Sequence, residues 1–144
     1  MFKLPPGGNN GLAIRYPGQG NAAYDAMTEL QVIDENYNQV RKLPPAKHID
    51  PRQYHGSVYG MVAAARGYQH PVGEWNFQEV TVRGPTIQVE LNGTVILDTD
   101  VSTIDMSKVM SKKGHPGKDR TRGFFGFAGH NDPVEFKDVL IQEL

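Results

Sequence analysis

Short stretches in which hydrophobic and polar residues alternate recur along most of the chain. The segment "GLAIR" (11–15) places its two large aliphatic side chains on one face, and "MTELQVID" (27–34) sets Leu30 and Val32 against Glu29 and Gln31. A period of two residues is typical of a β-strand with one apolar face. Both segments are therefore predicted to be strands, and the second carries polar groups on the face opposite the core.

A third stretch, "HGSVYGMVA" (55–63), shows the same alternation, with His55 and Tyr59 on its polar side. The segment that precedes it, 35–54, is too polar and too rich in proline for a strand, and it is too long for a simple turn. Loops of this length usually serve a functional site. We therefore expect the segment 35–54 to lie beside such a site.

The middle of the chain predicts a β-meander. The segments "FQEVTVR" (77–83), "TIQVEL" (86–91) and "TVILD" (94–98) alternate in the same way, and the dipeptide Asn92-Gly93 separates the last two. Asn-Gly tolerates positive φ at both central positions, as a type I′ hairpin turn requires. We expect two consecutive hairpins here.

Two further strands are expected near the end of the chain, at 123–129 and 134–144, with a short helix at 105–113 before them. Phe125 and Phe127 share one face of the first of these strands and are expected in the core. Strands spaced by about 8–12 residues, with turns rich in glycine and proline between them, are typical of an antiparallel sandwich or jelly roll. We expect one domain over residues 1–144.

Composition narrows the range of partners. The chain has 144 residues, is 38% hydrophobic and carries a net charge of −1 without a charge block. Nothing therefore favours a nucleic acid or a membrane surface as partner, and small neutral or polar ligands remain. The absence of cysteine excludes a disulfide framework and a thiolate metal site.

Six short stretches, in this order, resemble the bacterial 3-keto-disaccharide hydrolase family, and the resemblance extends from about Asn9 to Leu144. They are "NNGLAIR", "ELQVID", "HGSVYG", "GEWN", "IQVELNG" and "GFAGHNDPVEFKDVLIQEL". The resemblance implies a concanavalin/glucanase-like antiparallel β-sandwich, or jelly roll. Family members usually begin with one or two further strands, so we expect that this chain either lacks these N-terminal strands of the family or completes the sandwich in another way.

The resemblance also implies a function, the cleavage of glucosides and disaccharides that are already oxidised at C3 of the glucosyl ring. A ketone at C3 acidifies the hydrogen at C2, so a base can remove that proton, the C1 substituent can leave, and water can then add. This chemistry needs a base, an acid and a group that holds the developing enolate. The family implies a periplasmic or extracellular location, although no signal peptide is visible in this chain.

Glu29, His55 and His130 are the candidate catalytic residues, as base, acid and ligand. Each has a plainer interpretation: a solvated carboxylate for Glu29, a surface loop histidine for His55, and a turn cap for His130. No local spacing of the HExxH type is present, so a divalent metal is left open, and it would need these three side chains to meet in space.

Five further residues are candidates for substrate binding: Arg15, Gln31, Tyr59, Trp75 and Asn76. A guanidinium at position 15 offers a rigid fork of donors for a ketone or hydroxyl oxygen, but an ion pair is the alternative. Trp75 offers an indole face for sugar stacking, although a tryptophan at the start of a strand more often covers the edge of the core, and we favour that structural role.

Two other functions compete with the enzyme. The first is a noncatalytic carbohydrate-binding module of the same jelly-roll shape, which would bind unmodified glycans through an exposed aromatic side chain. The second is a structural partner whose exposed sheet edges pair with another copy of the chain, because unpaired strands invite such pairing.

Overall fold

The computed structural model describes residues 1–144 and contains nine β-strands, most of them short. The strands are β1 (Phe2–Lys3), β2 (Asn9–Tyr16), β3 (Thr28–Ile33), β4 (Trp75–Asn76), β5 (Gln78–Arg83), β6 (Thr86–Leu91), β7 (Thr94–Asp100), β8 (Phe124–Phe127) and β9 (Glu135–Phe136). Two helices of four residues each, α1 (Ala22–Asp25) and α2 (Tyr37–Val40), lie in the connections. Neither is long and apolar enough to cross a membrane.

The strands form three antiparallel sheets of three strands each, in the orders β4-β1-β9, β3-β2-β8 and β5-β6-β7. The predicted class, an all-β antiparallel sandwich, is confirmed. The finer assignment to the concanavalin-like jelly roll stays a prediction.

The hydrophobic core lies between the sheet that contains β3 and the sheet that contains β6. Leu30 and Val32 from β3 are at most 1% exposed, and they belong to the same buried cluster as Ile87 and Val89 from β6. Each large aliphatic side chain buried in this way contributes about 1.5–3 kcal/mol. The period-two pattern of β3 thus places its apolar face in the core, as predicted.

The predicted meander is present as β5, β6 and β7, with the strand pairs in continuous antiparallel register apart from one bulge after Val89. Asn92 and Gly93 have φ angles of 50° and 84°, the left-handed values that a type I′ turn requires. The backbone at this dipeptide therefore has the turn geometry that its sequence predicted.

The segment 55–63 is not the regular strand that its alternation predicted. Gly56 and Gly60 have φ angles of 75° and 70°, which interrupt an extended backbone, and Val58 forms only isolated bridges. The segment still runs beside β3, because the amide of Tyr59 donates to the carbonyl of Glu29 at 3.0 Å. It therefore acts as an irregular edge next to β3.

The end of the chain also differs from expectation. Phe125 and Phe127 are 39% and 46% exposed rather than buried, because the hydrophobic core does not extend over edge strand β8. The segment 134–144 keeps only β9 as a strand, and 105–113 forms turns instead of a helix. Pairing with another copy through a sheet edge stays a prediction.

Candidate functional site

A cavity of about 250 Å³ lies on the face of β3 that points away from the hydrophobic core. Glu29, Gln31 and Ile33 line its floor, since alternate residues of a strand point to the same side. The neighbouring strand β2 contributes Asn9, which lies opposite Ile33 in the register of the two strands. One face of β3 is therefore committed to the core and the other to this cavity.

Glu29 is the ionisable group of the cavity floor. Glu29 is only 5% exposed, and its buried Oε1 atom has no hydrogen-bond partner. Burial raises the pKa of Glu29 from 4.5 to about 7, because desolvation penalises the charged carboxylate. Near neutral pH this carboxyl group can therefore both accept and donate a proton.

Gln31 presents a fixed amide two residues further along the same face. Its Nε2 donates to Oδ1 of Asn9 at 2.5 Å and to the carbonyl of Asn10 at 3.3 Å. These bonds leave Oε1 of Gln31 buried and without a partner. An unpartnered buried acceptor is costly unless a donor reaches it, so this atom is suited to bind a ligand hydroxyl.

The segment 35–54 forms one wall of the cavity, as its length and polarity led us to expect. It contributes Tyr37, Ile49 and Gln53 to the lining. Within this segment the carboxamide of Asn38 donates to the hydroxyl of Tyr54 at 2.7 Å and accepts from the amide of Ile49 at 3.1 Å. The wall thus consists of α2 and two further short helical turns, at Pro45–Lys47 and Pro51–Gln53, which side-chain hydrogen bonds hold together.

Tyr24 and Tyr59 provide the aromatic part of the lining. Their rings are arranged edge to face, with 6.4 Å between the ring centroids. Nε2 of Gln53 donates to the hydroxyl of Tyr59 at 2.9 Å. Burial raises the pKa of Tyr59, and the hydrogen bond from Gln53 opposes that effect. The Tyr59 hydroxyl therefore stays protonated at neutral pH and can donate to a ligand oxygen.

His130 lies at the exposed rim, in the turn that follows β8. The turn is fixed by Asp132, whose Oδ2 accepts from the amide of Asn9 at 3.1 Å. Its Oδ1 accepts from Nη2 of Arg41 at 2.6 Å. Asp132 therefore links the turn that carries His130 to β2 and to the 35–54 wall.

The whole chain now allows a comparison with known proteins. The model of the 3-keto-alpha-glucoside-1,2-lyase-like domain family matches residues 1–142. The chain belongs to this family. The resemblance seen in the six sequence stretches is thereby confirmed.

Individual relatives agree with this family. A 3-keto-disaccharide hydrolase of Bacteroides thetaiotaomicron is 26% identical over 169 aligned residues, which cover 99% of this chain and 56% of that protein. The chain thus spans little more than half the length of this relative.

Solved structures share the fold. Two crystal structures of proteins from Parabacteroides distasonis ATCC 8503, both proposed to be glycosyl hydrolases, superpose with TM-scores of 0.70 and 0.72. They are 22% and 23% identical to this chain, cover 92% of it in each case, and are themselves covered over 68% and 62% of their lengths. At this identity the likeness concerns the fold of the family.

His55 does not join Glu29 and His130 in the cavity, which corrects the expectation that the three would meet. It is 3% exposed, and its ring stacks on Phe2 at 4.8 Å within the core. Neither ring nitrogen has a hydrogen bond of good geometry, and burial lowers the pKa of His55 to about 4, against a smaller opposing effect of the nearby Gln78 side chain. The turn at Gly56 directs this side chain inwards, which alternation could not anticipate.

Arg15 is also directed away from the cavity. It has a φ angle of 51°, at an irregularity in the pairing of β2 with β8 between Ala13 and Tyr16. Its Nη1 donates to the carbonyls of Gly84 and Arg120, at 2.7 and 3.1 Å. The bulge removes Arg15 from the alternation that predicted it on the polar face, and its donors already serve backbone carbonyls.

Trp75 and Asn76 lie outside the cavity, in β4. The ammonium groups of Lys3 and Lys137 lie 5.0 and 4.2 Å from the centroid of the Trp75 ring. The buried carboxamide of Asn76 accepts from the amide of His70 at 2.8 Å and from Nδ2 of Asn92 at 2.9 Å. Asn76 thus braces the loop before β4 and the hairpin turn at Asn92, and the indole is covered by cations.

The residues present do not fit the divalent metal that was left open. No group of three or more His, Cys, Asp or Glu side chains is arranged to hold a metal ion. We therefore derive no chemical step through a metal.

The sequence interpretation missed several cavity residues. Asn9 shares the parity of Gly11 and Ala13 in β2, so extending the alternation by two residues would have found it. Tyr37 and Gln53 lie in the segment that was singled out, although no single residue was chosen there. Tyr24 has no such signal, because only the packing of α1 beside β3 brings it to the cavity.

Proposed function

We propose that this chain cleaves glycosides oxidised at C3 of the glucosyl ring, by elimination followed by addition of water. In the first step a base takes the proton from C2, and the electron pair of the C2–H bond forms an enolate with the C3 ketone. The enolate then expels the substituent at C1 as the C1–O bond breaks, and an acid protonates the leaving oxygen. Addition of water across the C1–C2 double bond yields the free 3-keto sugar.

Glu29 is the proposed base. A carboxylate with a pKa of about 7 is more basic than an ordinary one, yet a large fraction of it is ionised at neutral pH, and both properties favour proton abstraction. This raised pKa, in a buried carboxyl group on the floor of the cavity, is the observation that carries the proposal. Sites of this kind often use a pKa matched to the working pH.

The other roles follow from position. His130 on the open rim is the proposed acid for the leaving group, because its imidazole lies where the C1 substituent would leave the cavity and histidine is the commonest proton donor in such catalysis. Oε1 of Gln31 and the hydroxyl of Tyr59 are the proposed contacts for sugar hydroxyls, as an unpartnered acceptor and an available donor. Aglycones extend through the open side of the cavity in this arrangement.

The test uses a 3-keto-glucoside and its unoxidised parent, each incubated with the purified chain in D₂O. We expect release of the aglycone from the keto compound only, with one deuterium at C2 of the product beyond the exchange seen without protein. Release without deuterium at C2 would contradict the elimination route, and release from the parent compound would indicate ordinary glycoside hydrolysis.

The noncatalytic module is the alternative outcome. It predicts saturable binding of unmodified glycans, measurable by calorimetric titration, with no product from any keto-glucoside. The lysines that cover Trp75 weigh against this alternative, because they occupy the indole face that a stacking sugar would need.

A periplasmic or extracellular location is part of the same proposal and rests on the family resemblance alone. Cell fractionation of the native host, with an antibody against this chain, tests it. Recovery in the cytoplasmic fraction only would contradict it.

A further inference from the structure

The carboxyl group of Glu29 is kept in place by packing. Its Oε1 is buried without a hydrogen-bond partner, and Glu29 takes part in no ion pair. A long side chain that is not held by polar contacts normally samples several rotamers. The neighbouring atoms must therefore define where this carboxyl group lies.

Gly11 is one of the residues that lie directly against this carboxyl group. In the register of β2 and β3, Gly11 lies opposite Gln31 and Ala13 lies opposite Glu29, so all four residues face the cavity side. The carboxyl group of Glu29 leans over Gly11, and a Cβ atom at position 11 would overlap its carboxyl carbon, Oε1 and Cγ. The Glu29 side chain thus fills the volume that any other residue at position 11 would occupy.

The backbone does not require glycine at this position. Gly11 is not among the residues with positive φ, so an L-residue can adopt its conformation without strain. Its amide donates to Oδ1 of Asn10 at 2.9 Å, and its carbonyl accepts from the amide of Ala128 at 2.8 Å. Glycine weakens the interior of a strand, and it often marks a close approach. Here the group that approaches is the carboxyl of Glu29.

We propose that Gly11 is a positioning residue for Glu29. Because glycine has no side chain, the carboxyl group of Glu29 can lie against the backbone of β2 and away from water. An alanine at position 11 would push the carboxyl towards the open part of the cavity. Hydration there would relieve the desolvation that raises the pKa of Glu29, so this pKa would fall towards its ordinary value.

The first experiment follows the titration of Glu29 by carbon NMR of the side-chain carboxyl groups, with Glu29→Gln to assign the signal. We expect Gly11→Ala to lower the midpoint by about one pH unit or more, because the carboxyl becomes hydrated. Gly126→Ala is the matched control. Gly126 pairs with Ala13 from the other side of β2, also lacks positive φ, and a Cβ there would meet nothing within 4 Å.

An unchanged midpoint in Gly11→Ala would overturn the proposal. So would an equal shift in Gly126→Ala, because it would show a general response of β2. A second measurement covers the case in which Gly11→Ala folds poorly. We expect Gly11→Ala to lower the melting temperature when Glu29 is present and to have little effect in a Glu29→Ala background, where the overlap is absent. Equal losses in both backgrounds would overturn the proposal.

The inference rests on the proposed function only where it concerns catalysis. If Glu29 is the base, Gly11→Ala also shifts the acidic limb of the pH profile of kcat/KM towards lower pH, which a merely destabilised variant would not do. A shifted NMR midpoint without turnover of any keto-glucoside would leave the positioning of Glu29 intact and contradict the proposed reaction. The two failures are therefore distinguishable.

Discussion

The cavity floor at Glu29 and the core site at His55 share several properties. Glu29 is 5% exposed and His55 is 3% exposed, and each has buried polar atoms without a hydrogen-bond partner. Burial favours the neutral form of both groups, with the pKa of Glu29 raised to about 7 and that of His55 lowered to about 4. By desolvation alone, either group would be a candidate for a functional site.

Their surroundings differ. The carboxyl of Glu29 borders a cavity with Gln31, Tyr59 and an imidazole on its rim, whereas the ring of His55 stacks on Phe2 inside the core. A ligand can reach the first group and not the second. A perturbed pKa therefore marks a functional site only when access for a ligand and further polar groups accompany it.

Catalytic activity should distinguish Glu29 from His55 more strongly than any other measurement. We expect Glu29→Gln to lower kcat on a 3-keto-glucoside by about 10²–10⁴-fold, the usual contribution of a general base. We expect His55→Leu to leave kcat within about threefold, because it lies outside the cavity and acts at most through packing. Initial rates at pH 7 measure both, and a loss in His55→Leu as large as that in Glu29→Gln would contradict the distinction.

The second prediction concerns stability in acid. Between pH 6.5 and 4 the unfolded chain protonates His55 while the folded protein does not, so the contribution of His55 to the free energy of unfolding falls as the pH is lowered through this range. The full difference between the two pKa values corresponds to about 3 kcal/mol. Urea unfolding of the wild-type protein and of His55→Leu from pH 8 to 4 should show this loss in the difference between the two proteins, because the Glu29 contribution, which has the opposite sign, is common to both. Parallel curves for the two proteins would contradict it.

The contribution of Glu29 to stability depends on pH in the opposite direction to that of His55. Between pH 4.5 and 7 the unfolded chain ionises Glu29 while the folded protein keeps the proton, so the contribution of this group to stability falls as the pH rises. At pH 8, Glu29→Gln should therefore be more stable than the wild-type protein by up to about 3 kcal/mol, with the difference vanishing near pH 4.

Urea unfolding of the two proteins at both pH values measures this difference. Glu79→Gln is the control, because Glu79 is an exposed carboxylate on strand β5. A gain in Glu29→Gln that is independent of pH would contradict the assigned cause.

The smallest expected effect concerns the rim. Asp132 is partly exposed and accepts from Arg41 and from the amide of Asn9, so we expect Asp132→Ala to cost about 1 kcal/mol in the free energy of unfolding. The exposed pair Asp105–Lys108 provides the control, and Lys108→Ala should cause no measurable change. A further measurement, the KM for the keto-glucoside, should rise in Asp132→Ala if the turn that carries His130 loosens.

Much of the fold was encoded locally. The apolar face of β3 and the Asn92-Gly93 turn depend on residues adjacent in sequence, and alternation or turn chemistry therefore predicted them correctly. For the same reason the sequence predicted that Glu29 and Gln31 lie on one face of β3. It also predicted that segment 35–54 lies beside the site. The family itself was visible in the order of six short stretches.

Other features depended on where distant segments meet. The turn at Gly56 directs His55 into the core, and the bulge at Arg15 removes Arg15 from the cavity face. Helix α1 brings Tyr24 to the cavity. Each outcome results from a local departure from the regular period or from contacts between segments far apart in the chain. Which residues can share a strand face follows from their order in the chain. Which of them share a cavity depends on the packing of distant segments, because access is controlled by what packs above each face.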